Sequence, residues 1–469
     1  MFDRHEINEI QFKDLERTKR IDSEFYSKGN ILLQKKLESR EYKYISDDYN
    51  VSDGNHLAVS SHFRDEGIPY YRGQDIYNFY IEKSNPIYID NDFYYQPNMH
   101  RSHLSKGDVL LSIVGAIIGN VSLVTSSNQA TCSCKLAILR PKNLNVVSEM
   151  LSMYIKTKYG QSQVQKFRRG TAQTGLILED MSQIIVPEFS IEFKCLIREF
   201  VHEVHDDYAE AHKIYIDLEK KLLDYLNFKN PEESKLGISI RTYKESFENS
   251  GRFDSQYYLP KYDELLDLLD SHVCFELGNI VNVKKSIEPG SDEYVNEGIP
   301  FMRVANLSPE GITKTDKYLN EEKYGSLELM PKKDTILLSK DGTVGLAYKL
   351  EEDMSIITSS AILHLTIKEE FEILPDFLTL VLNSPIVRLQ AERDAGGSII
   401  KHWKPDEIKK VKIPILDYEV QTEMMLIKSK INSLKSSATK KFDSIINAIE
   451  VSIEQGEETG FDVLRSIRD

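Results

Sequence analysis

The chain contains two copies of one pattern, and this internal repeat limits its possible folds more than any other feature. Short blocks recur in the same order, from Arg20 matching Arg252 to Ser112 matching Ser339, so the offset drifts only from 232 to 227 residues. The matched segments are 20–26 and 252–258, 66–72 and 297–303, and 108–115 and 334–342. A solenoid would repeat every 20–50 residues or so. The pattern therefore predicts a two-copy duplication.

Each copy divides into a β-rich part and a long helix. Short apolar runs rich in Tyr, Val, Ile and Thr, separated by Gly, Asn, Asp and Pro, indicate strands and turns. In the second copy a strand is predicted over 334–338, and a glycine-bearing turn over 339–345. The predicted domains are an N-terminal arm with the first β-rich domain (1–190), a first spacer helix (191–230), a linker (231–251), a second β-rich domain (252–415), a second spacer helix (416–455) and a C-terminal tail (456–469).

Both predicted spacer helices carry a heptad-like seam. The apolar residues of the first helix alternate at steps of four and three: Ile197, Val201, Val204, Tyr208, Ala211, Tyr215, Leu218 and Leu222. The second helix shows the same pattern at Val420, Met424, Ile427, Ile431, Leu434 and Ala438, then at Ile445 and Ile449. Because a solitary amphipathic rod is unstable in water, we expect the two seams to pack as an antiparallel pair. The alternative is that each helix lies on its own β-rich domain.

These patterns together predict the fold class. We expect an internally duplicated α/β (α+β) protein in which two β-rich domains are separated by two long antiparallel helices. The helices would form a coiled-coil spacer, and the two copies would be related by a pseudo-twofold axis.

The charge of the chain limits how it could bind nucleic acid. Lys and Arg number 59 and Asp and Glu number 74, which gives a formal net charge of −15. Coating phosphates without specificity needs surplus positive charge, so DNA contacts must come from local basic loops or from a partner. Four cysteines do not indicate a disulfide scaffold, and no apolar run is long enough to predict a membrane span. We expect a soluble cytoplasmic protein.

Two similar domains on a stiff spacer suggest a molecule that holds two recognition surfaces at a set distance. Double-stranded DNA suits such a molecule, because half-sites one helical turn apart lie about 34–36 Å from each other. Divergence between the two copies would then give two different half-sites instead of a palindrome.

The repeated blocks resemble a known family. Gly298-Ile299-Pro300-Phe301-Met302-Arg303, the segment from Asp334 to Gly345, and Ile413-Pro414 before a long helix are similar to the DNA specificity subunit of type I restriction–modification systems. The Arg-x-Asp-Ser openings at Arg20 and Arg252 resemble the start of each half in that family. The first copy departs from the pattern, because its glycine turn is one residue longer and lacks the Lys340-Asp341 pair.

The resemblance implies a function and a set of partners. It implies two target-recognition domains that read a bipartite, asymmetric site, and docking of methyltransferase subunits, expected to be two. It also implies ATP-driven restriction subunits for cleavage. By this analogy the chain has no catalytic residue and no cofactor, and S-adenosylmethionine and ATP would bind to the partner subunits.

Two other classes of protein remain as alternatives. A self-contained DNA adenine methyltransferase would need an Asn/Asp-Pro-Pro-Tyr/Phe loop, but Asn85-Pro86-Ile87-Tyr88 fails at its third position. A coiled-coil scaffold without a DNA role would fit the acidic charge and the heptads. The Cys132-Ser133-Cys134 pair has no second pair nearby, so we predict no metal site.

Candidate DNA contacts are basic and amide side chains on loops, which can reach base edges or phosphates. Arg72 with Gln74 and Arg303 with Asn306 lie at corresponding places in the two copies. Lys340 and Thr343 lie on the glycine turn of the second copy. Two basic clusters, expected at corresponding places of the two domains, complete the predicted interface: Arg168, Arg169 and Gln173 in the first copy, and Lys401, Trp403 and Lys404 in the second. A structural ion pair is the alternative role for each arginine of the first set, and a core position is the alternative for Trp403.

Overall fold

The computed structural model describes residues 9–12, 15, 20–76, 79–170, 174–229, 239–248, 250–309, 311–397 and 401–468. It divides into two compact units. One, the discontinuous unit, combines residues up to 209 with residues from 434 onward. The other, the central unit, is the continuous stretch 210–433. Each unit is built around one β-rich copy of the repeat.

The described residues of the discontinuous unit form ten strands. They are Tyr42–Tyr44 (β1), Tyr49–Asp53 (β2), Phe63–Arg64 (β3), Ile68–Tyr71 (β4), Ile87–Ile89 (β5), Val109–Ser112 (β6), Val121–Leu123 (β7), Thr131–Cys132 (β8), Leu136–Pro141 (β9) and Ile185–Pro187 (β10). The α-helices that accompany these strands are Lys28–Glu38 (α1), Ile45–Asp48 (α2), Asn91–Tyr94 (α3), Ser148–Lys156 (α4), Lys158–Phe167 (α5) and Leu178–Met181 (α6). The strands form sheets in the orders β2-β9-β6-β7, β3-β5-β4-β8 and β1-β10.

The next helix, Ile191–Tyr225 (α7), leads into the central unit, whose described residues form twelve strands. They are Cys274–Glu276 (β11), Val281–Lys285 (β12), Tyr294–Val295 (β13), Ile299–Met302 (β14), Leu307–Ser308 (β15), Gly311–Ile312 (β16), Tyr318–Leu319 (β17), Ile336–Ser339 (β18), Ala347–Lys349 (β19), Ile357–Thr358 (β20), Ile362–Ile367 (β21) and Lys412–Pro414 (β22). Its helices are Pro260–Asp270 (α8), Leu277–Ile280 (α9), Glu321–Tyr324 (α10), Pro375–Asn383 (α11), Pro385–Asp394 (α12) and Pro405–Ile408 (α13).

The sheets of the central unit repeat those of the discontinuous unit. Their orders are β12-β21-β18-β19, β13-β17-β14-β20 and β11-β22, with β15-β16 as an additional pair. Even the single parallel pairing recurs, since Tyr70 of β4 pairs with Thr131 and Phe301 of β14 pairs with Ile357. Chains without a common pattern would not reproduce this mixed topology, so the predicted duplication of an α/β fold is confirmed.

Prolines explain where four helices of the central unit begin. Pro260, Pro375, Pro385 and Pro405 are each the first residue of a helix, where the missing N–H is tolerated and the fixed φ suits the helix. The sequence predicts one helix over 375–390 interrupted at Pro385. The structure has two helices there, α11 and α12, separated by Ser384.

The spacer helices are α7 and a helix at Tyr418–Gln455 (α14). Their 35 and 38 residues give rods of about 50–57 Å at 1.5 Å per residue. In the discontinuous unit, Lys441 Nζ lies 2.9 Å from Asp207, and Tyr208 Oη lies 3.1 Å from Thr439 Oγ1. In the central unit, Lys430 pairs with Glu210 and Lys221 with Glu423. In both units the partner on α14 has a lower residue number when the residue on α7 has a higher one. The two helices are therefore antiparallel, as predicted.

The predicted seams form the buried faces of this pair. Six of the eight seam residues on α7 are buried: Ile197, Val201, Val204, Ala211, Leu218 and Leu222. On α14 the buried members are Met424, Ile431, Ala438, Ile445 and Ile449. Tyr208 remains partly exposed, which lets its hydroxyl reach Thr439.

A short last helix, Glu457–Arg465 (α15), folds back along α14. Gly456, at a φ of 111°, makes the turn that only glycine adopts readily. Gly460 then approaches Ser452 and Ala448 so closely that a Cβ would lie 1.8 Å from Ser452 Oγ and 2.8 Å from the Ala448 carbonyl oxygen. Phe461 packs edge-on against Phe193, and Glu457 accepts hydrogen bonds from the backbone and hydroxyl of Ser190. The tail therefore packs against the start of α7.

Among the residues that the structure describes, no helix is long and apolar enough to cross a membrane.

Candidate nucleic-acid interface

The first predicted contact residues lie on a turn that follows the same strand in both units, here called the arginine turn (72–76 and 303–307). The backbone N–H of Arg72 donates to Asp75 at 2.7 Å, and that of Arg303 donates to Asn306 at 3.1 Å. A glycine, Gly67 or Gly298, comes immediately before the strand that leads into each turn. No larger residue fits there, because a Cβ would lie within 2.4 Å of a carbonyl oxygen of the neighbouring strand. The predicted correspondence of these two turns is thus a structural one.

The side chains on the two arginine turns have different partners. Arg72 makes two hydrogen bonds to the buried Asp75 carboxylate, at 3.0 and 3.1 Å. Arg303 donates to the exposed Asp316 at 3.2 Å, while its buried Nε has no hydrogen-bond partner in the part of the chain that the structure describes. Asn306 is buried, and its side-chain amide donates to the Lys314 carbonyl oxygen at 3.2 Å. Gln74 is exposed. In this conformation Asn306 supports the turn rather than a base contact, because both ends of its amide are hydrogen-bonded within the fold.

The glycine turn (113–119 and 340–345) follows β6 and β18. Gly115, Gly119, Gly342 and Gly345 all have positive φ, between 74° and 95°. In the central unit, Ser339 Oγ donates to the Thr343 carbonyl oxygen at 2.6 Å and accepts the Leu346 N–H at 2.9 Å. The turn of the discontinuous unit is one residue longer, and the buried Ser112 Oγ has no hydrogen-bond partner among the residues described for that unit. The extra residue thus changes the turn without removing it.

The predicted contact residues of the glycine turn differ in exposure. Thr343 is exposed. Lys340 pairs with Asp341, and only 12% of its side chain is exposed. Asp341 is also 2.8 Å from His402 Nδ1. Burial alone would raise the pKa of the Asp341 carboxyl, but the hydrogen bonds from Lys340 and His402 lower that pKa overall. Lys340 therefore holds Asp341, while Thr343 is open to a ligand.

A basic hairpin (168–176 and 395–403) pairs with the glycine turn in both units. The Gly115 N–H donates to the Thr174 carbonyl oxygen at 3.2 Å, and the Gly342 N–H donates to that of Lys401 at 2.9 Å. A second hydrogen bond joins the same two loops in each unit. The Leu176 N–H donates to the Ile113 carbonyl oxygen at 2.9 Å, and the Trp403 N–H donates to that of Lys340 at 2.8 Å. The same four backbone positions therefore join the two loops in each copy.

The basic side chains of the hairpin do not lie at equivalent positions, so the prediction that the two clusters correspond is wrong. Backbone pairing makes Arg169 equivalent to Gly396, and Lys401 equivalent to Thr174. Arg168 and Arg169 therefore come before residues 171–173 in the first copy, whereas Lys401 comes after residues 398–400 in the second, and both of these short ranges lie outside the described residues. The two copies place positive charge at different points of one shared loop.

The hairpin residues also differ in how accessible they are. Arg169 donates twice to the buried Asp180, at 2.6 and 2.8 Å, and this raises the pKa of its guanidinium. Arg168 is half-buried and donates to Thr174 at 3.0 Å. Lys401 and Lys404 are exposed. Gln173 lies outside the described residues.

Trp403 occupies a core position. Its side chain is 1% exposed, and it lies beside Gly345, where the hairpin packs on the glycine turn. The ring is therefore not on the surface where a base could stack, which corrects that part of the prediction. Its Nε1 donor has no partner among the described residues.

The repeated Arg-x-Asp motif hydrogen-bonds to the backbone immediately before the hairpin in each unit. Arg252 makes two hydrogen bonds to Asp254, at 2.8 and 2.6 Å, and a third to the Asp394 carbonyl oxygen at 2.9 Å. Arg20 likewise donates to Asp22 and to the Phe167 carbonyl oxygen, at 3.1 Å. The hydrogen bond from Arg252 lowers the pKa of the Asp254 carboxyl. The sequence shows this motif through its repetition, but its contact with the hairpin spans more than 140 residues.

A fourth loop, the serine turn (133–135 and 359–361), joins the others. Ser133 donates its N–H to Tyr71 at 2.9 Å, and the Lys135 carbonyl oxygen accepts the Ile113 N–H at 3.1 Å. The central unit has the same two hydrogen bonds. The Ser359 N–H donates to the Met302 carbonyl oxygen, and the Ala361 carbonyl oxygen accepts the Lys340 N–H, both at 2.8 Å. Arginine turn, serine turn, glycine turn and hairpin therefore form one continuous surface in each unit, here called the four-loop surface.

The exposed Lys135 on this surface was missed in the sequence. Aligning Cys132-Ser133-Cys134 with Thr358-Ser359-Ser360 would have revealed it as a basic residue at a turn shared by both copies. Within the described ranges no group of three or more His, Cys, Asp or Glu side chains could hold a metal ion.

Comparisons with known proteins agree with this organisation. Residues 272–445 match the family model of the type I restriction modification DNA specificity domain. A Haemophilus influenzae protein named as a type I restriction enzyme specificity subunit is 26% identical over 210 residues, which are 43% of this chain. The aligned part covers 49% of that relative, about half of its length.

Solved structures of similar proteins include two S subunits. The S subunit of a type I restriction–modification system from M. genitalium has a TM-score of 0.39 at 15% identity, over 87% of this chain and 95% of that one. The HsdS subunit from Thermoanaerobacter tengcongensis has a TM-score of 0.29 at 14% identity, over 89% and 96%. The family resemblance read from the sequence is confirmed, since residues 272–445 match the model of the type I restriction modification DNA specificity domain.

Proposed function

We propose that this chain is the sequence-specific DNA-recognition subunit of a type I restriction–modification complex, reading a bipartite and asymmetric site. The observation that carries the proposal is the four-loop surface, which occurs once in each unit with different exposed side chains. One backbone arrangement with two sets of donors and acceptors suits two half-sites of different sequence.

Exposed side chains on the four-loop surface supply the contacts. Lys135 and Gln74 extend from the discontinuous unit, and Thr343, Lys401 and Lys404 from the central unit. Lysines can bind phosphates or the acceptor edge of guanine, while Gln and Thr can bind base edges in the major groove. Arg72, Arg169 and Lys340 hold the loops in place through Asp75, Asp180 and Asp341.

Partner subunits would supply the positive charge, the catalytic residues and the cofactors that this acidic chain is proposed to lack. Two methyltransferase subunits would dock on the spacer helices and the adjoining sides of the β-rich domains, and ATP-dependent restriction subunits would join for cleavage. S-adenosylmethionine and ATP would bind to those subunits, so this chain would itself be non-catalytic. Such a complex acts on DNA in the cytoplasm.

The proposal is tested with the chain reconstituted with its methyltransferase subunits. A randomised duplex library is incubated with the complex and S-adenosylmethionine, and the methylated molecules are sequenced. We expect one motif made of two different halves separated by a fixed number of unread bases. Methylation without any sequence preference would contradict the proposal.

The two alternatives predict other results. A self-contained methyltransferase would bind S-adenosylmethionine as the purified chain alone, which calorimetry measures. In the structure Ile87 and Tyr88 of the candidate motif lie in strand β5, paired with β4. A scaffold without a DNA role would give no salt-dependent shift of duplex DNA when the complex is assembled.

A further inference from the structure

We propose that Glu288 is a specificity-determining residue of the central unit, and that its carboxylate accepts a hydrogen bond from the exocyclic amino group of a cytosine. The inference rests on the proposed function and goes beyond it, because it assigns one base class to one residue.

Glu288 is exposed, and the fold orients its carboxylate. Ser360 donates to Glu288 Oε2 twice, from its hydroxyl at 2.6 Å and from its backbone N–H at 3.3 Å. Both hydrogen bonds end on the same oxygen, so Oε1 keeps its acceptor capacity toward solvent. A side chain held this way loses less conformational entropy when it binds a ligand.

The carboxylate lies on the four-loop surface. Ile287, the residue before it, pairs with Ser359 of the serine turn in a parallel bridge. Ser359 donates its N–H to Met302, immediately before Arg303, and Ala361 accepts the N–H of Lys340. Glu288 therefore lies beside the serine turn, which hydrogen-bonds to Met302 on one side and to the glycine turn on the other.

Charge decides which part of DNA this carboxylate could meet. Phosphates repel a carboxylate, so a carboxylate that contacts DNA directly is favoured opposite a hydrogen-bond donor of a base edge and not opposite a phosphate. In the major groove cytosine presents its N4 amino group alone, whereas adenine places the N7 acceptor beside its N6 amino group. A carboxylate with a free acceptor matches cytosine and is repelled by N7 of adenine.

The discontinuous unit has no carboxylate at the position of Glu288. His56 occupies the position of Glu288, because Asn55 pairs with Ser133 as Ile287 pairs with Ser359. The exposed Lys135 occupies the position of Ala361. Cytosine reading at this point is therefore confined to the half-site of the central unit.

The test compares the reconstituted complex with its Glu288→Gln and Glu288→Asp variants in the methylation of a randomised duplex library. Glutamine donates and accepts together, as adenine requires, so E288Q should shift one position of one half-site from cytosine toward adenine, by roughly five-fold or more. Aspartate is shorter but keeps the charge, so E288D should retain cytosine with weaker discrimination.

A matched control is Glu369→Gln. Glu369 is an exposed glutamate beyond Ile367, at the opposite end of β21 from the serine turn, and its change should leave the motif unaltered. Thermal melting of each variant shows whether the central unit remains folded.

The outcomes separate the two proposals. A wild-type complex with a motif that neither Glu288 variant alters would overturn this inference and leave the proposed function in place. A change of preference in the other half-site, or of the adenine–guanine balance alone, would also overturn it. A wild-type complex without a motif would overturn the proposed function and this inference together.

Discussion

At the scale of single residues, the clamp made by Arg252 gives a stability prediction. Arg252→Ala removes three hydrogen bonds, two to Asp254 and one to the Asp394 carbonyl oxygen, and should lower the free energy of unfolding by about 1–2 kcal/mol. Chemical denaturation of the purified protein measures the change. Lys332→Ala breaks an exposed pair with Asp353 in the same unit and should cost no more than about 0.5 kcal/mol. Equal effects of the two substitutions would contradict the clamp.

A second residue-scale prediction concerns Lys156, whose ammonium lies 5.7 Å from the ring centres of both Phe79 and Phe442. Burial lowers the pKa of Lys156 to about 8, below its usual 10.5. The unfolded chain therefore binds more protons between pH 8 and 10.5, so stability from this group rises with pH across that window and is constant below it. Lys156→Met should stabilise the protein at pH 7 by about 1 kcal/mol and reduce this rise. Denaturation at pH 7 and pH 9.5 measures both effects, and an unchanged pH dependence would contradict the assignment.

Residue exposure was the least predictable property of the candidate site. The sequence identified Arg72, Lys340 and Trp403, but not which of them the fold engages. Arg72 and Lys340 have partners three and one residues away, whereas Trp403 is buried because its backbone bonds to Lys340 across 63 residues. A long-range contact such as that of Trp403 leaves no local pattern, and the place of Glu288 beside the serine turn was missed for the same reason. Lys135 differs, because aligning the serine turns of the two copies would have revealed it.

At the scale of elements, the seam of the spacer helices can be tested by deleting side chains. Ile431 is fully buried, and Ile431→Ala should destabilise the central unit by about 2–4 kcal/mol, since it leaves a cavity between α14 and α7. Leu426 is on the same helix but 68% exposed, so Leu426→Ala should change stability by about 0.5 kcal/mol or less. Thermal unfolding compares the two, and similar losses would argue against the seam.

The sequence predicted the helices and turns more accurately than it predicted the exposure of single residues. The heptad steps predicted both long helices because a 3.6-residue period persists over many turns, and the first helix begins at Ile191. The glycine turns were predicted because positive φ favours glycine. The two basic clusters were predicted to lie at corresponding places, and this was wrong, because the sequence pattern does not show which strand of the hairpin carries the charge.

At the scale of the whole molecule, the two units should act on separate half-sites. Lys401→Ala is expected to weaken binding of the reconstituted complex to its full site, and Arg303→Ala to do the same through the same half-site. Lys135→Ala should act through the other half-site. Competition with duplexes altered in one half at a time measures this. Equal loss through both halves for any one variant would contradict the separation.

The duplication itself was fully apparent in the sequence, because the repeated blocks keep their order. The domain boundaries predicted from the sequence did not include a unit assembled from both ends of the chain. The heptads implied it, since an antiparallel partner for residues 195–209 has to come from the end of α14. The four loops of each surface, in contrast, come together through hydrogen bonds between distant backbone groups.

That discontinuous unit has a consequence for synthesis on the ribosome. Residues 210–433 are continuous, so the central unit can fold as soon as they have emerged. Residues up to 209 emerge earlier, yet their core includes Ala438, Ile445 and Ile449 and is complete only after α14 and α15 have been translated. The segment made first is therefore finished last, and its apolar surface needs protection from aggregation throughout that delay.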